Sequence, residues 1–183
     1  MAEALMRHRA VQSGSSLEVA SAGFQTEGES PPPDTVKVMA RRGIDVSGHR
    51  SRMVTPADLQ AADLVVGMTR THVWDAALLE PTALTRSFVF GELVRLNESI
   101  GRRQGGESIG EWIDRLNGAR SHGIVGSTQS EEIPDPYGRR TRAHERAARE
   151  IEKLELELAD FAFDPVLPKY DVRWREGKLI WEG

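Results

Sequence analysis

The sequence contains no cysteine. That absence removes disulfides, thiolate metal ligands and cysteine nucleophiles from any reading of the 183 residues. Histidine is sparse as well: His8, His49, His72, His122 and His144 stand without the spacing that holds a metal ion. Neither a metal nor a cofactor is expected. No apolar run approaches the roughly 20 residues that a membrane helix needs, and the N-terminus lacks a hydrophobic stretch with a cleavage site. A cytoplasmic protein without a membrane partner is the expectation. Neither sign of charge dominates. A net charge of -4, with lysine and arginine interspersed among acids, leaves no broad polyanion-binding face and makes nucleic acid an unexpected partner.

What is present suffices for one sizeable core, and the length favours a single domain with additions. Met1 to Gln12 reads as a helix with Met1, Leu5 and His8 on one face, ended by Ser13 to Ser16. Leu17 to Ala22 suits a buried strand. Ser30-Pro-Pro-Pro-Asp34 is a stiff turn into a second helix, where Val36, Met39 and Ala40 share a face and Gly43 provides a left-handed stop. Thr55-Pro56-Ala57-Asp58 has the residues of a helix start. Leu64 to Met68 reads as a strand, Thr71 to Leu79 as a helix stopped by Pro81, and Ser87 to Phe90 as a third strand. Strands alternating with helices predict a parallel sheet covered on both faces, the α/β, Rossmann-like class.

Asn97 to Gly106 has the glycine, arginine and glutamine content of an exposed loop, after which Ser108 and Glu111 can form a capping box. Ile109, Trp112, Ile113 and Leu116 make the stripe of the helix that follows. Thr141 to Phe161 is a long amphipathic helix with Ala147, Ile151, Leu154, Leu158 and Phe161 on one face. Asp164 to Pro168 reads as a linker. Asp171 to Trp174 and Lys178 to Trp181, around Arg175-Glu-Gly177, predict a small terminal hairpin. The resulting division is a domain over residues 1–163, longer than a compact fold requires at about 97–129, and a tail over residues 164–183.

Met1-Ala-Glu-Ala-Leu-Met-Arg7 resembles the helix that follows the phosphate-binding loop of low-molecular-weight protein tyrosine phosphatases, where C-x5-R-S-P continues into M-A-E-A. Val19-Ala-Ser-Ala-Gly23, the run from Gly43 to Arg52, the run from Ala62 to Arg70, and Ile133-Pro-Asp-Pro-Tyr137 then follow in that family's order. The resemblance implies a two-step phosphoryl transfer. A loop cysteine attacks phosphorus while backbone amides and a loop arginine hold the oxygens, and the same positive dipoles keep the thiol ionised. A general acid protonates the leaving phenolic oxygen. By the family's D-P-Y motif that acid is Asp135, presented by Pro136, and Tyr137 stacks on the aryl phosphate. Ser21 and His49 match positions that brace the phosphate loop without touching substrate.

Each assignment has a plainer alternative. Asp135-Pro-Tyr-Gly138 is also a good turn sequence, Tyr137 can simply pack, and His49 can be structural. Arg50 and Arg52 read as a solvated surface pair and stay outside the site. The expected partner is a phosphotyrosine-containing protein or a small aryl phosphate.

The resemblance also implies that the family's first strand and phosphate loop precede Met1. Under that expectation the sequence is an N-terminally truncated reading, inactive as written, with its central strand missing. Leu17 to Ala22 and Leu64 to Met68 are then about 10 Å apart, twice the usual strand spacing, with no ladder between them. The alternative is a non-catalytic binding module on the same fold. Arsenate reduction, found on a related enzyme of this fold, needs further cysteines to resolve its thiol adduct, and the sequence has none.

Overall fold

The computed structural model describes residues 1–12, 17–120, 128–162, 171–175 and 178–182. The chain opens with helix α1 (Ala2–Gln12), which buries Leu5 and Ala10. Helix α2 (Pro33–Ala40) begins on proline, whose fixed φ suits the first turn, and buries Val38 and Met39 completely. It stops at Gly43, where φ is 74° and the Ile44 amide turns back to donate to the Met39 carbonyl at 3.1 Å. Thr55 and Asp58 form the reciprocal capping box of the short helix α3 (Pro56–Ala61). These starts and stops agree with the sequence.

Strand β1 (Val65–Gly67) leads through helix α4 (Arg70–Leu79) and a 3-10 turn over Pro81–Arg86 to strand β2 (Ser87–Val89). The two pair in parallel, Val65 opposite Ser87 and Gly67 opposite Val89. Helix α5 (Phe90–Ile100) starts at the end of β2, and helix α6 (Ile109–Gly118) follows, capped by Ser108 and Glu111 as the sequence predicts. Helix α7 (Thr141–Ala162) packs across α1, α2 and α5. Its Ala147, Ile151, Leu154 and Leu158 join Met39, Phe88, Leu93, Leu96, Trp112 and Leu116 in one core. The hairpin of β3 (Asp171–Arg175) and β4 (Lys178–Glu182) is antiparallel, with Val172 opposite Trp181 and Trp174 opposite Leu179.

Two expectations are corrected. Leu17 to Ala22 is not a strand: among the described residues the parallel sheet has two strands, and the nearest pairing is an isolated parallel bridge between Gly23 and Met53. An apolar run becomes a strand only beside a ladder partner. Here the Val19 carbonyl accepts from Arg7 Nε at 2.7 Å instead. Asn97 is not the start of a loop but the buried eighth residue of α5. Its Nδ2 donates to the Leu93 carbonyl at 2.8 Å and its Oδ1 accepts from the Trp112 indole at 2.9 Å, so both ends of the amide are satisfied. The breaks at residues 13–16 and 164–168 fall outside the described residues, as does residues 121–127 of the segment assigned to 97–129.

The segment after α6 is tied to the sheet by charge. Arg120 and Glu92 are both buried and meet at 3.1 Å, Arg120 also donates to the Ser87 carbonyl at 2.7 Å, and its guanidinium lies 3.9 Å above the Phe88 ring centroid. The remaining donors of a buried guanidinium are thus given partners, which such a pair needs to offset its desolvation.

Candidate active site

The turn that carries Asp135 is fixed to the carboxyl end of the parallel sheet. The Ile133 amide donates to the Met68 carbonyl at 2.9 Å, one residue beyond β1. Crevices at the carboxyl ends of parallel strands are the usual ligand positions in such sheets. From there the chain reverses. Gly138 has φ 70°, a conformation that glycine adopts freely, and the Arg139 amide closes the turn on the Pro136 carbonyl at 3.0 Å. Asp135 Oδ1 accepts from the Tyr137 amide at 2.9 Å, which holds the carboxylate against its own turn. Asp135 is exposed, and Tyr137 is 69% exposed, so packing is not what fixes its side chain.

Asp135, Tyr137, Ser21 and His49 all line one cleft of about 870 Å³. Its floor and walls come from α1, from the segment before α2, from the Ile44–His49 loop and from the start of α7. Ser21 donates to the Glu3 carboxylate, and Glu3 pairs with Arg7 at 2.9 Å. Ser21 therefore faces α1. The His49 amide donates to the Val46 carbonyl at 3.1 Å, and its exposed side chain stands at the cleft wall. Arg50 and Arg52 are not part of the lining: Arg50 donates to the Ser47 and His49 carbonyls, and Arg52 pairs with Asp58 at 2.8 Å.

The lining is acidic. Glu3, Glu29, Asp45 and Asp135 line it together with Arg7. The Ser47 amide and hydroxyl hold the Asp45 carboxyl below the usual range, so it is ionised at neutral pH. The described side chains thus give the cleft a field that opposes an anion. Among the described residues no group of histidine, aspartate and glutamate is arranged to hold a metal.

Several cleft residues lie outside the expected site, and His144 is the most deeply buried of them. His144 is 1% exposed, lines the cleft, and has Nδ1 2.9 Å from Thr35 Oγ1. A signal existed, since His144 stands three residues before Ala147 on the apolar stripe of α7, and a polar residue there needs a buried partner.

The sequence model of the low molecular weight phosphotyrosine protein phosphatase family matches residues 1–95. Two curated relatives, each described as a probable low molecular weight protein-tyrosine-phosphatase EpsP, come from Ralstonia nicotianae and Ralstonia solanacearum. They are 34% and 33% identical over 94 residues, which is 51% of this chain and 62% of theirs. The chain thus spans less than two thirds of the length of these relatives. Among solved structures, a YwlE mutant from Bacillus subtilis has a TM-score of 0.63 at 23% identity, over 86% of this chain and 85% of that one. Vibrio vulnificus Wzb in complex with benzylphosphonate has a TM-score of 0.60 at 20% identity, over 86% of both chains. The low molecular weight protein tyrosine phosphatase of T. tengcongensis gives 0.62 at 23%, over 87% of both. Likeness at such identity establishes the Rossmann-like α/β fold. Ser21 and His49 fall within the matched residues 1–95, whereas Asp135 and Tyr137 lie beyond them.

Proposed function

The chain belongs to the low-molecular-weight phosphotyrosine protein phosphatase family, and from that premise we propose that the whole protein hydrolyses phosphotyrosine with Asp135 as its general acid. The observation that carries this reading is the cleft itself, which gathers Ser21, His49 and the Asp135–Tyr137 turn from three separate parts of the chain. In the first step a thiolate attacks phosphorus and the bond to the tyrosine oxygen breaks. Asp135 delivers its proton to that oxygen, so that a neutral phenol leaves. In the second step water attacks the cysteinyl phosphate, Asp135 takes a proton from it, and the thiolate returns. Tyr137 stacks on the aryl group at the cleft mouth, and Ser21 and His49 support the phosphate-binding loop.

The thiolate is not among these 183 residues. The polypeptide on its own is therefore inert towards aryl phosphates, because proton donation achieves little without attack and charge neutralisation at phosphorus. Its acidic cleft also favours a second reading, a non-catalytic binding module on the same fold. Partners under the first reading are a phosphotyrosine-containing protein or a small aryl phosphate, in the cytoplasm. Among the described residues no helix is long and apolar enough to cross a membrane. Residues 1–163 act as the phosphatase unit in this proposal, with 97–129 an elaboration and 164–183 a tail.

The test compares the 183-residue polypeptide with a form that also carries a family phosphate loop. Only the second is expected to turn over an aryl phosphate with sensitivity to vanadate, and Asp135→Asn should slow formation of its cysteinyl phosphate by roughly 10² to 10⁴. Vanadate-sensitive turnover by the polypeptide alone overturns the assignment of the nucleophile. An unchanged rate in Asp135→Asn removes Asp135 from the mechanism, and inactivity of both forms favours the binding module.

A further inference from the structure

We infer that Thr35 and His144 form a buried clamp whose task is to position Asp135, so that His144 is a positioning residue for the acid assigned above. The inference rests on that assignment for its purpose but on geometry for its substance.

The turn bearing Asp135 lies between two fixed points. On its N-terminal side Ile133 is bonded to Met68, at the end of β1. On its C-terminal side α7 begins at Thr141, three residues after Gly138. Thr141 and His144 are one turn apart on α7 and reach two consecutive residues of α2: the Thr141 hydroxyl donates to the Asp34 carboxylate, and His144 Nδ1 meets Thr35 Oγ1 at 2.9 Å. The first turn of α2 is a stiff reference, because Pro31, Pro32 and Pro33 fix the backbone that enters it and the Val36 amide donates to the Pro32 carbonyl at 3.1 Å. The clamp thus refers the start of α7, and with it the acid turn, to a segment that also lines the cleft.

Burial makes the Thr35–His144 bond directional rather than incidental. Thr35 is 8% exposed and His144 1% exposed, so neither can exchange this bond for water without opening the α2–α7 contact. The pair is satisfied in either tautomer, since the hydroxyl can donate to Nδ1 or accept from Nδ1–H. An apolar ring would fill the same volume on the α7 stripe but would supply no such direction. With Asp135 and Tyr137 exposed, the two anchors flanking them are what limits their excursions.

The test uses the 183-residue polypeptide labelled with ¹⁵N and follows hydrogen exchange at two amides. Tyr137 N–H reports its bond to Asp135 Oδ1, and Ile151 N–H reports the core of α7. Thr35→Val keeps the side chain's shape, His144→Phe replaces the imidazole by a somewhat larger apolar ring, and each removes one partner. Each should speed exchange at Tyr137 by roughly fivefold to tenfold, as expected for one hydrogen bond, with Ile151 unchanged within about twofold. The double variant should be no faster than either single, because both remove the same bond. His144→Asn, whose amide nitrogen can stand near the Nδ1 position, should recover part of the loss. Thr35→Val keeps the test independent of how α7 tolerates phenylalanine. Exchange at Tyr137 that stays at the original rate, or that rises in step with Ile151, overturns the clamp and leaves a merely structural contact. Neither result bears on whether Asp135 is the acid, which the Asp135→Asn rate decides separately.

Discussion

Glu155 sets a pH dependence of stability that the structure allows to be worked through. It lies on the buried face of α7, 3% exposed, and its Oε1 has no hydrogen-bond partner among the described residues. Desolvation raises its carboxyl from 4.5 to about 8, a rise that Glu152 adds to and that Arg9 and the Met1 amino group oppose. The folded state therefore holds a proton that the unfolded chain releases. Stability from this group is complete below pH 4.5 and is lost as the pH climbs to about 8. At about 1.4 kcal/mol per decade of pH, the whole interval is worth on the order of 5 kcal/mol, a large share of an ordinary stability of about 5 to 15. Glu155→Gln removes the titration and keeps the shape. Urea unfolding followed by tryptophan fluorescence, with Trp112 buried at 1% exposure as a reporter, should show little difference between the two proteins near pH 5. Near pH 8 the glutamine variant should be more stable by on the order of 3 to 4 kcal/mol. Subtracting one profile from the other cancels the remaining carboxylates. Parallel profiles across this range would show that Glu155 takes up no proton on folding.

Arg120→Met should leave Glu92 buried without its cation and cost about 3 to 5 kcal/mol in the same unfolding assay, most of it recovered by adding Glu92→Gln. A single-variant loss below about 1 kcal/mol would show that the pair is solvated. Gly138→Ala meets no atom within 4 Å but must adopt φ 70°, so it should cost about 1 kcal/mol through strain alone and loosen the Asp135 turn, read as faster exchange at the Tyr137 amide.

Elements were legible where local chemistry and burial coincide. The Ser108–Glu111 box and the Trp112–Leu116 stripe define α6, and the spacing from Ala147 to Leu158 defines α7, because each pattern is complete within a few turns. Helix α5 was not legible at its end. Asn97, Glu98 and Ser99 read as loop, and what makes Asn97 a core residue is an indole fifteen positions away. Leu17 to Ala22 failed in the opposite sense: its apolar pattern is that of a strand, but a ladder depends on a neighbour that no local pattern encodes. In the site, Ser21, His49, Asp135 and Tyr137 were found as members of ordered sequence blocks, and no spacing among them predicts a shared cleft. His144 belonged to no block, and only its polar character on an apolar stripe marked it.

In the proposed reaction the cleft separates two tasks. The acid turn is held by β1 through Ile133 and bordered by α2 through Thr35 and Asp34, contacts that involve no phosphate-binding group. The anion, by contrast, receives no net attraction from the described side chains around the cleft, where Glu3, Glu29 and Asp45 outnumber Arg7 even with Asp135 protonated. In the proposed reaction a phenol protonated by Asp135 leaves as a neutral group indifferent to this field, while a phosphate dianion enters only if the amides and arginine of the phosphate loop overcome the repulsion at short range. Binding and proton transfer are thus assigned to different physical devices. Under this proposal the amides and arginine of the loop determine whether the dianion binds, and the geometry set by β1 and α2 determines whether a proton stands where the leaving oxygen will be.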